Sequence, residues 1–111
     1  MATTHTIAKY QLAYYGRRPS ESDKIAQLTF YNNQNELLGF IAFFKEGQVI
    51  PDNSEDTTRF PTRVYLRASE NQLDRIVDML RNEKPCYVRY NSPTHAFIYT
   101  GTEPVGEEEA E

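Results

Sequence analysis

Hydrophobic and polar residues alternate through much of the first half of the chain. Over residues 6–15, Ala8, Tyr10, Leu12 and Tyr14 fall on one side, while Lys9 and Gln11 lie on the other with Ile7 and Tyr15. That period of two predicts a strand with one buried face. Residues 16–23 are rich in turn formers and charge and read as an exposed hairpin loop. Residues 24–31 resume the alternation, with Ala26, Leu28 and Phe30 against Gln27 and Thr29. Residues 32–35 turn the chain, since asparagine tolerates left-handed backbone angles.

Residues 36–44 break the pattern. Leu38, Phe40, Ala42 and Phe44 fill one face, but Leu37, Ile41 and Phe43 with Gly39 fill the other. A strand apolar on both faces should be covered on both. One helix covers only one, so either the sheet curls over its own second face or a second copy of the chain covers Leu37, Ile41 and Phe43. Residues 45–48 read as a tight turn into Val49 and Ile50, an optional fourth strand, and residues 51–58 as a polar surface loop.

The period then changes. Residues 60–68 alternate again, with Phe60, Thr62, Val64 and Leu66 opposite Pro61, Arg63, Tyr65 and Arg67. Leu73, Ile76, Val77 and Leu80 follow at i, i+3, i+4 and i+7, the single stripe of an amphipathic helix over residues 69–82. Ser69 and Gln72 have capping-box spacing, and Pro85 stops the helix. Residues 86–90 and 95–100, joined across residues 91–94, read as a final hairpin. The chain order is thus β-β-β-(β)-β-α-β-β. It predicts an α+β fold: a strongly twisted, mostly antiparallel sheet of five to seven strands with one amphipathic helix packed on one face. Residues 1–102 form one domain in this reading, and residues 103–111 a disordered acidic tail.

Composition agrees with sheet. The 111 residues include eight Tyr and six Phe but no Trp, and aromatics favour strands. The net charge of −4 is uneven, because five glutamates lie in the last nine residues and removing them leaves residues 1–102 at +1. No run approaches the length of a membrane helix, and the first residues lack the basic and apolar regions of a signal peptide. With the single Cys86, these features point to a cytoplasmic protein in a reducing compartment and to no membrane partner.

Arg63, Tyr65 and Arg67 alternate on one strand face, and Tyr87 and Arg89 extend that face if the strands flanking the helix are neighbours. Interleaved guanidinium groups and rings suit single-stranded nucleic acid, whose phosphates and bases need both. A body charge of +1 is small for such a binder, so a solvated face of arginines covering tyrosines is the favoured alternative. Arg17 and Arg18 could grip an anion, but Glu21 and Asp23 stand nearby to pair with them. Asp52, Asn53, Glu55 and Asp56 offer oxygen ligands without the glycine and distal glutamate of a calcium loop, so no metal is expected. His95 and Cys86 lack any accompanying catalytic motif, and no cofactor signature occurs. Tyr10 and Tyr14 are read as core or core rim, and Tyr15, Tyr31, Tyr65, Tyr87 and Tyr99 as surface.

The leading expectation is therefore a small non-enzymatic interaction module acting as a homodimer through Leu37, Ile41 and Phe43. Single-stranded nucleic-acid binding on the Arg63, Tyr65, Arg67, Tyr87 and Arg89 face is the alternative. Small-molecule binding or catalysis in a cavity under a curled sheet, using His95 or tyrosine hydroxyls, ranks third and requires a pocket of at least a few hundred Å³.

Overall fold

The computed structural model describes residues 2–16 and 24–102, and these form a mixed α+β structure, mostly antiparallel. Eight strands occur among the described residues: β1 (Thr3–Ile7), β2 (Lys9–Tyr14), β3 (Lys24–Tyr31), β4 (Leu37–Phe44), β5 (Ser54–Asp56), β6 (Arg63–Ser69), β7 (Cys86–Ser92) and β8 (His95–Thr100). One helical segment separates β6 from β7. It opens as a 3-10 turn at Glu70–Gln72 and continues as α1 (Leu73–Asn82).

The strands make two sheets rather than one. A five-stranded sheet has the order β2-β3-β4-β6-β5, with β4 and β6 parallel and the other pairs antiparallel. A three-stranded antiparallel sheet has the order β1-β7-β8. The first predicted strand divides between them. Ala8, at the break between β1 and β2, donates its N–H to the Tyr31 carbonyl at the end of β3, 2.9 Å away. From there β1 runs across the larger sheet: the His5 ring donates Nε2–H to the Thr62 carbonyl, and Thr3 reaches Glu55 on β5 at 2.8 Å. The smaller sheet thus lies over the inner face of the larger.

One apolar cluster joins both sheets and the helix. Ala26, Leu28 and Phe30 of β3 meet Ile41 and Phe43 of β4, Val64 and Leu66 of β6, Leu73 of α1, and Val88 and Tyr90 of β7. Ile76, Val77 and Leu80 pack against it from α1, and Tyr10 and Leu12 from β2. The predicted helix stripe and the inner faces of β3 and β6 are where the periodicity puts them.

The two-faced appearance of β4 has a local cause. The pairing with β3 slips between Phe30 and Tyr31, so that Leu38 is an extra residue between Leu37, opposite Tyr31, and Gly39, opposite Phe30. A bulge of this kind changes the face that the following residues present. Leu38, Ile41 and Phe43 are therefore all buried in the chain's own core, Ile41 at 1% and Phe43 at 0% exposure, while Leu37 is half-buried. This corrects the expectation of a self-interface at Leu37, Ile41 and Phe43, since two of the three side chains have no surface to offer a second copy. Gly39 makes the bulge feasible. Its φ is 146°, and a Cβ there would stand 1.8 Å from the Val64 carbonyl oxygen.

Other boundaries differ from the sequence reading. Val49 and Ile50 form no strand, and Val49 is 93% exposed. The extra strand is β5, drawn from the polar loop and held by backbone pairing of Ser54, Glu55 and Asp56 with Tyr65, Val64 and Arg63. Phe60, expected to share a strand face with Val64 and Leu66, is 94% exposed because β6 begins only at Arg63. Tyr14 is likewise 65% exposed near the edge of the sheet. Ser69 ends β6 in an extended conformation and makes no side-chain capping bond, so the capping-box spacing is not used.

Candidate functional site

The order of strands decides which candidate residues meet. β6 has β4 and β5 as neighbours, and β7 has β1 and β8. Arg63, Tyr65 and Arg67 therefore belong to the outer face of the larger sheet, and Tyr87 and Arg89 to the outer face of the smaller one. The single five-residue face expected from the sequence does not form, because the helix carries the chain from one sheet to the other.

On the larger sheet Arg67 is engaged. Arg67 Nη1 donates to Ser54 Oγ at 2.8 Å and to the Asp52 and Tyr65 carbonyls at 3.2 and 3.3 Å. Its guanidinium lies 5.9 Å from the centre of the Phe40 ring, which stacks on Tyr65 at 4.6 Å. Lys24 approaches the same Phe40 ring at 5.7 Å and donates to Gln27. Arg63 Nε is buried without a hydrogen-bond partner among the described residues. Arg67 is thus held by neutral oxygens and the Phe40 ring, not by the tyrosine cover and carboxylate pairing that the solvated-face alternative expects.

The smaller sheet is different. Alternation puts Thr4 and Thr6 of β1, Tyr87, Arg89 and Asn91 of β7, and His95, Phe97 and Tyr99 of β8 on its outer face. Four rings run in succession: His95 to Phe97 at 5.3 Å, Phe97 to Tyr99 at 5.4 Å, and Tyr99 across to Tyr87 at 5.1 Å. Arg89 stands opposite Phe97. It donates Nε–H to Asn91 Oδ1 and Nη1–H to Thr4 Oγ1, each at 3.0 Å, so it is positioned by neutral oxygens and has no carboxylate partner among the described residues. The Asn91 amide in turn donates to His95 Nδ1 at 3.0 Å, which leaves Nε2 as the ring's outward N–H. None of these eight outward residues is acidic. His95 and Phe97 were not assigned to a binding face by the sequence reading, although their spacing with Tyr99, at i, i+2 and i+4 on one strand, carries the signal.

A nucleophile and base pair is not assembled. Cys86 pairs with Thr100 at one end of the final hairpin and His95 with Ser92 at the other. Burial, and secondarily the Glu83 charge, push the Cys86 thiol above its ordinary value, so it stays protonated and donates to the Met79 and Glu83 carbonyls. The oxygen ligands of the 52–56 segment are dispersed: Asn53 Oδ1 accepts from the Arg67 N–H, Glu55 from Thr3, and Asp56 from Thr58. Thr58 hydrogen bonds hold the Asp56 carboxyl below its usual range, with smaller help from Arg59 and Arg63. No group of three His, Cys, Asp or Glu residues among the described ones could hold a metal. Arg17, Arg18, Glu21, Asp23 and the 103–111 tail lie outside the described residues.

Among the described residues, hollows of a few hundred Å³ occur. One, about 710 Å³, is bounded by the β1–β2 corner and the stretch from Leu80 to Cys86. The others lie along α1 and β8. None is lined by His95. No helix among the described residues is long and apolar enough to cross a membrane. No family model matches this chain, and neither a curated protein nor a solved structure is significantly similar to it.

Proposed function

We propose that this protein is a non-enzymatic binding module of the reducing cytoplasm, and that the outer face of the β1-β7-β8 sheet takes single-stranded nucleic acid. The observation that carries this reading is the four-ring ladder His95–Phe97–Tyr99–Tyr87 beside Arg89 on a face without a carboxylate. Rings about 5 Å apart, His95 exposed and Phe97, Tyr99 and Tyr87 half-buried, offer successive stacking surfaces, and base–aromatic stacking is worth about 1–3 kcal/mol per base. Arg89, oriented by Thr4 and Asn91, supplies the phosphate contact.

The small overall charge is compatible with this use because acids and the platform are segregated. Glu70, Asp74 and Asp78 lie on the helical segment, and Glu36, Glu46 and Glu83 in turns. Binding by stacking with one or two phosphate contacts has a shallow salt dependence, a slope of about −1 in log–log form. The test is fluorescence anisotropy with a labelled oligothymidylate of about a dozen nucleotides. A Phe97→Ala, Tyr99→Ala double variant should weaken binding by about tenfold or more, and Arg67→Ala, Tyr65→Ala on the other sheet should not. Equal loss in both variants, or no binding by the parent, removes the proposal.

A further inference from the structure

We propose a second site: the hollow at the β1–β2 corner binds a small soluble molecule with an apolar body and a phosphate monoester head. The chain leaves the smaller sheet at Ala8 and enters the larger one there, and the end of α1 with residues 83–85 bounds the opposite side. Among the described residues this corner encloses about 710 Å³, a volume suited to a drug-sized ligand. Ile7 and Cys86, paired across β1 and β7 and both buried, belong to its wall. Tyr10 and Leu80, which pack against the core, and Pro85 extend the apolar lining.

The charged lining is unequal in sign. Lys9, Arg81 and Lys84 border the hollow, and Glu83 is the one carboxylate among its lining residues, so the side chains leave an excess of +2. The C-terminal end of α1 subtracts about half a charge. Part of that end is already occupied, since the Met79 carbonyl accepts from the Glu83 N–H at 2.9 Å and from the Cys86 thiol. The balance stays positive. Lys9 donates to the neutral Asn35 Oδ1 at 2.6 Å, and Arg81 and Lys84, both exposed, make no hydrogen bond or ion pair with another described residue.

Charge and lining together select the occupant. A cation would meet three like charges, and inorganic phosphate would leave the apolar wall in water. A phosphate monoester carries about −1.5 to −2 at neutral pH, which matches the excess. Its head suits Arg81 and Lys84, because a guanidinium offers paired N–H donors to two phosphate oxygens. Its apolar body lies against Ile7, Tyr10 and Leu80.

The probe is octyl phosphate, whose aliphatic body cannot stack on the aromatic face, titrated into the full chain and followed by amide NMR. Shifts should concentrate at residues 6–10 and 80–86. Inorganic phosphate and 1-octanol, each lacking half of the ligand, should bind about tenfold more weakly or not at all. Vesicles of phosphatidylcholine and phosphatidic acid, which show the head but keep the body in the bilayer, should shift neither segment. The double variant Arg81→Glu, Lys84→Glu should weaken octyl phosphate about tenfold or more, and Arg81→Gln, Lys84→Gln by less, while Lys45→Glu, away from the hollow, changes little. The proposal is overturned if octyl phosphate leaves both segments unmoved at millimolar concentration, if either half-ligand or the vesicles match it, or if both double variants bind as the parent does. Arg81 and Lys84 lie off the aromatic face, so oligothymidylate binding by the double variants separates this site from the first.

Discussion

Asn53 ties the two sheets together at Pro93: its N–H and its side-chain amide both donate to the Pro93 carbonyl, at 2.9 and 3.0 Å. Its Oδ1 accepts the Arg67 N–H of β6 at 2.9 Å. One residue thus links the edge of the larger sheet to the turn between β7 and β8. Asn53→Ala removes two of these three bonds and leaves the Arg67 N–H unsatisfied, for a loss of about 2–3 kcal/mol in urea unfolding. Asn53→Asp should recover part of it, because the acceptor for Arg67 is kept.

The bulge at Gly39 predicts intolerance of any side chain there. With the Val64 oxygen 1.8 Å from the site of a Cβ and φ at 146°, Gly39→Ala must move β4 away from β6. We expect destabilisation of at least about 3 kcal/mol, read as a lowered urea midpoint. Gly16→Ala, where nothing lies within 4 Å, is the control.

Burial of Ile41 makes a prediction that separates core from interface. Ile41→Asp should unfold the chain at every protein concentration, at a cost of about 4–5 kcal/mol. If it instead gave a folded monomer from a dimeric parent, Ile41 would belong to an interface.

Cys86 sets a pH response. The folded thiol is raised above its ordinary value, so between the unfolded and folded values the native state holds the proton more tightly. Stability from this group is present below the ordinary thiol value and declines as pH rises through the alkaline window above it. Cys86→Val should flatten that decline, and native Cys86 should resist alkylation at neutral pH while reacting readily in urea.

These predictions rest on features of unequal legibility in the sequence. The β3 core face and the α1 stripe were readable because Ala26, Leu28 and Phe30 keep a strict period of two, and Leu73, Ile76, Val77 and Leu80 a strict helical one. β4 misleads because the slip at Leu38–Gly39 changes face without any change in composition. β5 is invisible to hydrophobic patterning, being Ser-Glu-Asp held by backbone pairing and polar side-chain contacts. The division of the arginine and tyrosine residues between two sheets depends on strand order, which no local period encodes. The aromatic face was half legible: Tyr87 and Arg89 were identified, but their true neighbours are Tyr99, Phe97 and Thr4.

The most direct test of the proposed nucleic-acid platform is amide NMR of the full chain titrated with a short oligothymidylate. Shifts should gather at Thr4, residues 87–91 and residues 95–99, with Tyr65, Arg67 and Phe40 unmoved. Shifts centred on β4 and β6, or none at millimolar oligonucleotide, would contradict it.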